Sequence, residues 1–323
     1  MKNAGNGLRI VYCGTPQFAV PTFEALRAAG HEIALVVSQP DRPVGREQQL
    51  TAPPVKQAAL AAGLTVTQPE QIRNNEEFRK QLEAIAPDAI VVVAYGRIIP
   101  EWMLALPRLG CINLHASLLP KYRGAAPIQW AVAMGEKTTG NTTMLLEKGL
   151  DTGPILLQEA MEIGAHQTAA DLFPLLAEAG APLMVRTLDG LAKGTIQPQP
   201  QNDEAATLAP LLTREDGRMD FAAHTAQEIY DRWRGFQPWP GAFTQLGGKK
   251  LIVHRMTLAR GSYAEGLGFA EPGWVIVEHQ RFLAACAENT WLEFLELQLE
   301  GKKRLAADEF LRGNPLTADA RLG

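Results

Sequence analysis

The segment DAIVVVAYG, residues 88–96, is a continuous apolar run rich in valine, and no other feature constrains the fold as strongly. A strand that is apolar on both faces needs cover on both sides, as in a parallel sheet flanked by helices. Similar runs occupy residues 9–13 and 31–38, and helix-like segments lie between the runs. This alternation predicts an α/β domain with a doubly wound, mostly parallel, Rossmann-like sheet.

Local signals place further elements along the chain. Gly14 ends the first run, Thr15 is suited to cap a helix, and Pro16 is suited to its first turn. Residues 39–54, QPDRPVGREQQLTAPP, contain prolines and Gly45 that argue against regular structure, so we expect a long exposed loop of the kind that carries function. The remaining pattern predicts helices near residues 55–62, 76–85, 100–104, 126–134 and 169–191, and strands near residues 65–67, 111–115, 142–146 and 155–158.

A change of composition marks a domain boundary. Residues 194–207, GTIQPQPQNDEAAT, are polar with spaced prolines, as in a linker. We expect a first domain over residues 1–192, a linker over 193–211 and a second domain over 212–323. In the second domain, one amphipathic helix and short strands between glycine turns predict a small, OB-like β-barrel.

Composition excludes several classes of protein. The 31 lysines and arginines against 35 aspartates and glutamates give a net charge of −4, so any contact with a polyanion must be local. The three cysteines lack CxxC spacing, which argues against a disulfide framework or a structural zinc site. The amino terminus has no signal segment and no apolar run approaches about 20 residues, so we expect a cytoplasmic protein without membrane association.

Asn113 and His115 lie two residues apart in the predicted strand CINLH, so their side chains share one face near its carboxyl end. Open α/β sheets bind ligands at that edge. A lone histidine on a strand is usually structural, but an amide beside an imidazole supplies two donors for a developing oxyanion. The pair is therefore a candidate catalytic site.

Asp151 lies in GLDTGPI, between two strand-like runs, where Gly149 and Gly153 allow the backbone to turn sharply. An aspartate at such a position is most often an ordinary turn residue. The spacing alone leaves open whether Asp151 approaches His115.

Motifs of several other enzyme classes are missing from the sequence. The turn CGTPQF has one glycine where a dinucleotide fingerprint has three, and no Walker lysine, HExxH, nucleophile elbow or paired-histidine motif is present. NAD, ATP, zinc and serine-hydrolase chemistry therefore lose support. We expect the remaining histidines to be structural or at the surface: His31, His166, His224, His254 and His279.

Six blocks of sequence together resemble the methionyl-tRNA formyltransferase family, in that family's order and over nearly the whole chain. They are QPDRPVGR, VVVAYGRIIP, INLHASLLPKYRGAAPIQWA, GLDTGPIL, PWPGAF and GKKRLAADEFLRG. The resemblance implies transfer of a formyl group from 10-formyltetrahydrofolate, a consumed co-substrate, to the α-amino group of methionine on initiator tRNA. It implies no metal and no tightly bound cofactor. We further expect a monomer.

The resemblance also implies a catalytic trio of Asn113, His115 and Asp151, hereafter the trio. These residue types suit the reaction, because the formyl oxygen becomes an oxyanion that needs donors already in place. We expect Asn113 to donate through its amide, and His115 to donate as an imidazolium supported by the Asp151 carboxylate. Asp151 is also suited to relay the proton of the amine through a water molecule.

Binding residues follow from the same blocks. The resemblance makes the segment Ser117, Leu118, Leu119 and Pro120 the folate-contacting loop, and residues 93–98 the wall of the pterin pocket. It makes Arg42, in the exposed loop with Asp41 and Arg46, a contact to the acceptor end of the tRNA, since arginine both pairs with phosphate and stacks on bases.

The chain departs from the family pattern at a few positions. Gln48 and Gln49 stand where many relatives have a basic pair, which reduces the attraction of the loop for phosphate, and Ala116 stands where glycine is common. The sequence leaves open whether basic residues of the second domain contact tRNA. These residues are Lys249, Lys250, Lys302, Lys303 and Arg304.

Other functions compete with this interpretation. An amino-sugar formyltransferase shares the trio, SLLPKYRG and PWPGAF, but QPDRPVGR and the GKK…FLRG block favour tRNA. A formylfolate hydrolase would use water as the acceptor and would not need this second domain. A module that only binds folate or tRNA has no need of the three trio residues together.

Overall fold

The computed structural model describes residues 7–45, 48–259, 268–317 and 319–323. Its helices are α1 (Val20–Ala28), α2 (Pro54–Ala61), α3 (Glu76–Ile85), α4 (Glu101–Leu104), α5 (Pro127–Ala133), α6 (Ala169–Lys193), α7 (Ala226–Gly235) and α8 (Ala307–Gly313). Its strands are β1 (Arg9–Gly14), β2 (Glu32–Val37), β3 (Arg42–Val44), β4 (Gln49–Thr51), β5 (Val66–Thr67), β6 (Ala89–Val93), β7 (Cys111–His115), β8 (Arg123–Gly124), β9 (Thr138–Leu145), β10 (Ile155–Glu162), β11 (Leu208–Ala209), β12 (Phe243–Leu246), β13 (Lys249–Leu258), β14 (Val275–Glu278), β15 (Arg281–Cys286), β16 (Thr290–Leu299) and β17 (Leu305–Ala306).

The chain forms two compact units. The first is drawn from Met1–Pro127, Thr138–Glu162 and Leu172–Pro210, and the second from Ile128–Lys137, Ile163–Asp171 and Leu211–Gly323. Two short segments that precede the predicted domain boundary therefore belong to the second unit.

The first unit is built on a sheet with strand order β10-β9-β7-β6-β1-β2-β5. The strands from β7 to β5 run parallel, and β9 is antiparallel to both of its neighbours. Alternate residues of β1 enter different clusters: Ile10 and Tyr12 pack in one cluster, and Val11 and Cys13 pack in the other. Both faces of the sheet are thus covered, which confirms the fold class expected from the continuous apolar runs.

The helix cap predicted at Thr15 is wrong. After Gly14 the chain makes a 3-10 turn over Gln17–Ala19, and α1 begins only at Val20. The Thr15 hydroxyl instead donates to the Tyr95 carbonyl over 3.1 Å. Tyr95 lies in the loop that follows β6. This non-local hydrogen bond engages the hydroxyl that would otherwise cap a helix.

The expectation that residues 39–54 lack regular structure is also wrong, because β3 and β4 form a two-stranded antiparallel ribbon with Pro43 opposite Leu50. Both strands of such a ribbon are edge strands, and an edge strand tolerates proline. Gly45, with φ +74°, and Gln48, with φ +51°, turn the chain between the strands. Arg46 lies outside the described residues.

The second unit contains an antiparallel sheet with strand order β12-β13-β16-β15-β14, with β17 on β16. Phe282, Phe294 and Phe310 are fully buried in its core. Isolated bridges join Leu322 to Leu246 and Arg321 to Trp274, so the end of the chain connects the two edges of the sheet. This curled antiparallel sheet confirms the barrel-like fold predicted for the second domain.

Residues 199–209, here named the connecting segment, lie along the first unit. Gln199 exchanges backbone hydrogen bonds of 2.8 Å with Ile155, and β11 pairs in parallel with β8. This part of the predicted linker is therefore bound to the first unit by backbone hydrogen bonds.

Candidate active site

The site lies at the carboxyl edge of the first sheet, where β1, β6 and β7 end side by side. Gly14 is in register with Val93, and Val92 is in register with Asn113. The loops that follow these strands therefore surround one region, the usual position of ligands in open α/β sheets.

Asn113 and His115 share one face of β7, as predicted, while Ile112 and Leu114 pack into the core on the opposite face. Asn113 is half-buried. Among the residues that the structure describes, none hydrogen-bonds its side-chain amide, whose two N–H groups are thus available to a ligand.

His115 is buried between two acceptors. Its Nε2 lies 2.9 Å from the carbonyl oxygen of Tyr122, and its Nδ1 lies 3.7 Å from Oδ2 of Asp151. An imidazolium presents an N–H to each of these acceptors, whereas a neutral ring presents only one. Nδ1 stands beyond hydrogen-bond length from the carboxylate, so its N–H is not fully engaged by Asp151.

Asp151 reaches His115 because its loop is held tightly. Its Oδ2 accepts a 2.8 Å hydrogen bond from the backbone N–H of Gly124. A side chain on Gly153 would place its Cβ 1.8 Å from the carbonyl oxygen of Leu145, so only glycine fits this approach. The structure thus brings Asp151 to His115, on the strand face that also carries Asn113.

The predicted folate loop is fixed from inside. The Ser117 hydroxyl is buried and donates to the carbonyl of Lys121 over 2.6 Å. Thr142 Oγ1 donates to the Ser117 carbonyl over 2.6 Å and accepts from the Leu119 N–H over 3.2 Å. Leu119 is buried, whereas Leu118 and Pro120 are half-buried, so these two offer the accessible apolar surface of the loop.

Residues 93–98, expected to form the wall of the pterin pocket, begin where β6 ends at the same edge. The Tyr95 carbonyl accepts from Gln39 Nε2 over 3.1 Å, and Arg97 donates to Gln39 Oε1 over 3.2 Å and to the Glu70 carbonyl. These bonds fix the Tyr95 carbonyl and the Arg97 side chain, while Ile98 is 82% exposed and leaves an apolar side chain open to solvent.

The ribbon that carries Arg42 has a fixed base. Asp41 accepts two 2.8 Å hydrogen bonds from Lys56 and one of 2.7 Å from Gln68. The hydrogen bond from Lys56 is the main cause that lowers the pKa of the Asp41 carboxyl. Arg42 itself is exposed, and within the described part of the chain its guanidinium has no partner.

Comparison with known proteins relates this geometry to a family. The profile described as formyl transferase matches residues 8–188, and the one described as formyl transferase, C-terminal domain, matches residues 211–315. The methionyl-tRNA formyltransferase of Acidobacterium capsulatum is 67% identical over 316 residues, which cover 98% of this chain and 100% of the relative. That of Koribacter versatilis is 57% identical over 311 residues, which cover 96% of this chain and 97% of the relative.

The chain belongs to the methionyl-tRNA formyltransferase family. The family and the enzyme class expected from the six sequence blocks are therefore confirmed.

Solved structures with low sequence identity share the fold of this chain. An N-formyltransferase from Helicobacter canadensis, in complex with folinic acid and dTDP-3-aminofucose, matches with a TM-score of 0.64 at 17% identity, over 89% of this chain and 98% of that one. HypX from Aquifex aeolicus, in complex with tetrahydrofolic acid, matches with a TM-score of 0.60 at 14% identity, over 95% of this chain and 47% of that one. At identities this low, the structural matches establish a common fold and no shared substrate. The amino-sugar alternative is therefore supported only by distant structural neighbours.

Sequence reasoning did not predict the contacts that four residues make to the site of this methionyl-tRNA formyltransferase family member, although it placed Gly124 in the loop that lines the ligand crevice. Tyr122 and Gly124 act through their backbone, and Thr142 and Gln201 act through their side chains. A contact made through the backbone does not depend on the type of side chain, so a sequence pattern does not predict it. Of the four residues, only Gly124 is of a type that indicates its role, because its φ of +125° favours glycine.

The cysteines do not contribute to the site of this family member. Cys13, Cys111 and Cys286 are free and buried, and burial raises the pKa of the Cys111 thiol to about 12. Within the described ranges, no three histidine, cysteine or acidic side chains are grouped as ligands for a metal ion. No helix in these ranges is both long and apolar enough to cross a membrane.

Proposed function

We propose that this enzyme transfers the formyl group of 10-formyltetrahydrofolate to the α-amino group of methionine esterified to initiator tRNA. The observation that carries the proposal is the placement of His115 between the Tyr122 carbonyl and Asp151, on the strand face that presents the free amide of Asn113. The two structural neighbours described above were solved with folinic acid and with tetrahydrofolic acid, which supports a folate-type co-substrate.

Attack of the amine on the formyl carbon places negative charge on the formyl oxygen. Asn113 has free N–H donors at the edge of the sheet, so it stabilises this oxyanion without first breaking another hydrogen bond. Preorganised donors of this kind usually make the largest single contribution to acyl transfer.

His115 is the second donor. Its Nε2 is anchored on the Tyr122 carbonyl, which orients the ring, and Nδ1 lies 3.7 Å from Oδ2 of Asp151. As an imidazolium supported by the carboxylate, His115 donates its Nδ1–H to the oxyanion in a charge-assisted hydrogen bond.

Asp151 is the group that transfers the proton of the amine. The bond from the amine nitrogen to the formyl carbon forms while the bond from that carbon to N10 of the folate breaks, so one proton must leave the amine and one must reach N10. Oδ2 of Asp151 is held by Gly124, and among the described residues Oδ1 accepts no hydrogen bond. Oδ1 therefore takes the proton of the amine, directly or through one water, and returns it toward N10.

The direct test is an assay of the purified protein with 10-formyltetrahydrofolate and two acceptors, methionyl-tRNA and a nucleotide-linked amino sugar. We expect formylmethionyl-tRNA as the product and no formylated sugar. Formylation of the sugar but not of the tRNA would overturn the proposal in favour of the amino-sugar alternative.

Arg42 is proposed to contact tRNA phosphate, because it is an exposed cation on a ribbon whose base is fastened. Arg42→Ala is expected to raise the Kd for tRNA and to lower the slope of log affinity against log salt by about one. Arg79→Ala is the matched control, since Arg79 is also exposed but already pairs with Glu83 over 2.8 Å. An unchanged salt slope in Arg42→Ala would exclude the phosphate contact.

The basic residues of the second unit differ in availability. Arg304 pairs with Glu296, and Lys250 Nζ lies 3.7 Å from the centre of the Phe243 ring. Lys249, Lys302 and Lys303 are exposed and are the better candidates for phosphate. We also propose that the enzyme acts as a monomer in the cytoplasm, where its proposed tRNA substrate is charged.

A further inference from the structure

The side chain of Gln201, in the connecting segment, joins two loops of the site. Its Nε2 donates to the carbonyl oxygens of Asp151 over 2.8 Å and Gly153 over 2.7 Å. Its Oε1 accepts from Nε and Nη2 of Arg123 over 3.1 and 2.8 Å. Both N–H groups and the oxygen of this amide are therefore engaged, and these four hydrogen bonds join the loop of Asp151 to the loop of Arg123.

Thr207 holds the second of these loops. Its Oγ1 accepts from the N–H of Tyr122 over 2.9 Å, and its carbonyl accepts from the N–H of Arg123 over 2.8 Å. Since the Tyr122 carbonyl is the partner of His115 Nε2, Thr207 is one residue removed from the imidazole.

The approach of the connecting segment is close. A Cβ on Gly124 would lie 2.6 Å from the carbonyl oxygen of Ala209 in β11, and the φ of Gly124 is +125°. Gly124 is also the residue whose N–H holds the Asp151 carboxylate. The backbone of β11 thus packs directly on this donor.

Both supported loops contain backbone in a costly conformation. Tyr122 has φ +61° and Asp151 has φ +51°. Both values lie in the left-handed region, which residues other than glycine adopt infrequently. Such residues persist only where surrounding contacts over-determine them, and Gln201 and Thr207 supply part of these contacts.

We propose that Gln201 and Thr207 of the connecting segment are positioning residues, which set the placement of Asp151 and His115 for formyl transfer. The inference rests on the catalytic role proposed for these two side chains. Neither Gln201 nor Thr207 needs to touch a substrate for this role.

The test replaces Gln201 with leucine, which keeps the size of the side chain and removes all its hydrogen bonds. We expect kcat to fall by on the order of 10-fold to 100-fold, because small misplacements of reacting groups are costly, while KM for both substrates changes less than about two-fold. Gln199→Leu is the matched control, since among the described residues the exposed Gln199 side chain hydrogen-bonds only to the Gln197 carbonyl, and it should retain the parental rate.

Two further variants guard against a folding defect. Gln201→Glu keeps an acceptor for Arg123 but loses both donors to the Asp151 loop, so it is expected to lose rate as Gln201→Leu does. Thr207→Val removes only the hydroxyl that accepts from Tyr122, and it should lower kcat in the same range. Parental melting temperatures with lowered kcat would support positioning.

A double-mutant cycle separates positioning from general structure. In an Asp151→Asn background, Gln201→Leu should lower kcat several-fold less than it does in the parent, because the part of its effect that acts through the Asp151 carboxylate is already lost. An equal loss in both backgrounds would overturn the inference. So would a parental rate in Gln201→Leu while Asp151→Asn is impaired, whereas a parental rate in Asp151→Asn itself would instead refute the proposed mechanism.

Discussion

Replacing Asn113 with alanine is expected to lower kcat for formyl transfer by on the order of 100-fold to 1000-fold, the usual effect of removing one oxyanion donor. The amide has no partner among the described residues, so the substitution breaks no contact of the folded protein. The melting temperature should therefore stay within about 1 °C of the parent, and single-turnover kinetics with saturating substrates would measure the chemical step.

Asn75→Ala is a control with the opposite pattern. The Asn75 side chain caps α3 by accepting from the Phe78 N–H over 2.9 Å, so its loss costs about 1 kcal/mol of stability. We expect a lower melting temperature and an unchanged kcat. A near-parental rate in Asn113→Ala would refute the oxyanion role, since the control establishes that the assay distinguishes stability from chemistry.

Arg234→Ala is expected to destabilise the second unit by about 3–5 kcal/mol, the usual cost of breaking a buried ion pair from one side. Arg234 and Asp231 are both buried and hydrogen-bonded to each other. Arg234 Nη1 also donates to the carbonyls of Gly164 and Gln167, over 3.3 and 2.7 Å. Without the guanidinium, two carbonyls lose this donor, and the buried carboxylate keeps its hydrogen bond from Gln227 Nε2 but loses its positive partner.

Urea unfolding followed by tryptophan fluorescence would measure this loss as a lower midpoint. Arg312→Ala is the matched control, because Arg312 also pairs within one helix, with Asp308 over 2.9 Å, but in solvent. Exposed pairs contribute only about 0–1 kcal/mol. Equal shifts of the midpoint in the two variants would contradict the role assigned to burial.

Much of the fold was predictable because its signals are local. The apolar run of β6 is buried on both faces of the sheet, and β7 presents Asn113 and His115 on one face because side chains alternate along a strand. The errors at Thr15 and Pro43 share one cause. Thr15 bonds to Tyr95, which is distant along the chain, and Pro43 pairs with Leu50 across the ribbon. Local preferences of single residues do not predict such contacts.

The site was predictable only in part. Periodicity paired Asn113 with His115, whereas the approach of Asp151 required the family resemblance, because no local rule joins residues 36 positions apart. The Gln201 side chain acts over 50 to 78 positions of sequence, and Tyr122 acts on His115 through its backbone carbonyl. A polar, proline-spaced stretch has the composition of a flexible tether, although hydrogen bonds hold this one in place.

The contacts of β11 have a practical meaning for protein engineering. A fragment that ends at residue 192 would retain every side chain of the trio. It would lose Gln201, Thr207 and β11, the strand that pairs with β8. A chimera that replaces the residues after Pro210 should therefore be joined there and not at residue 192, so that the two residues proposed to position the trio are retained.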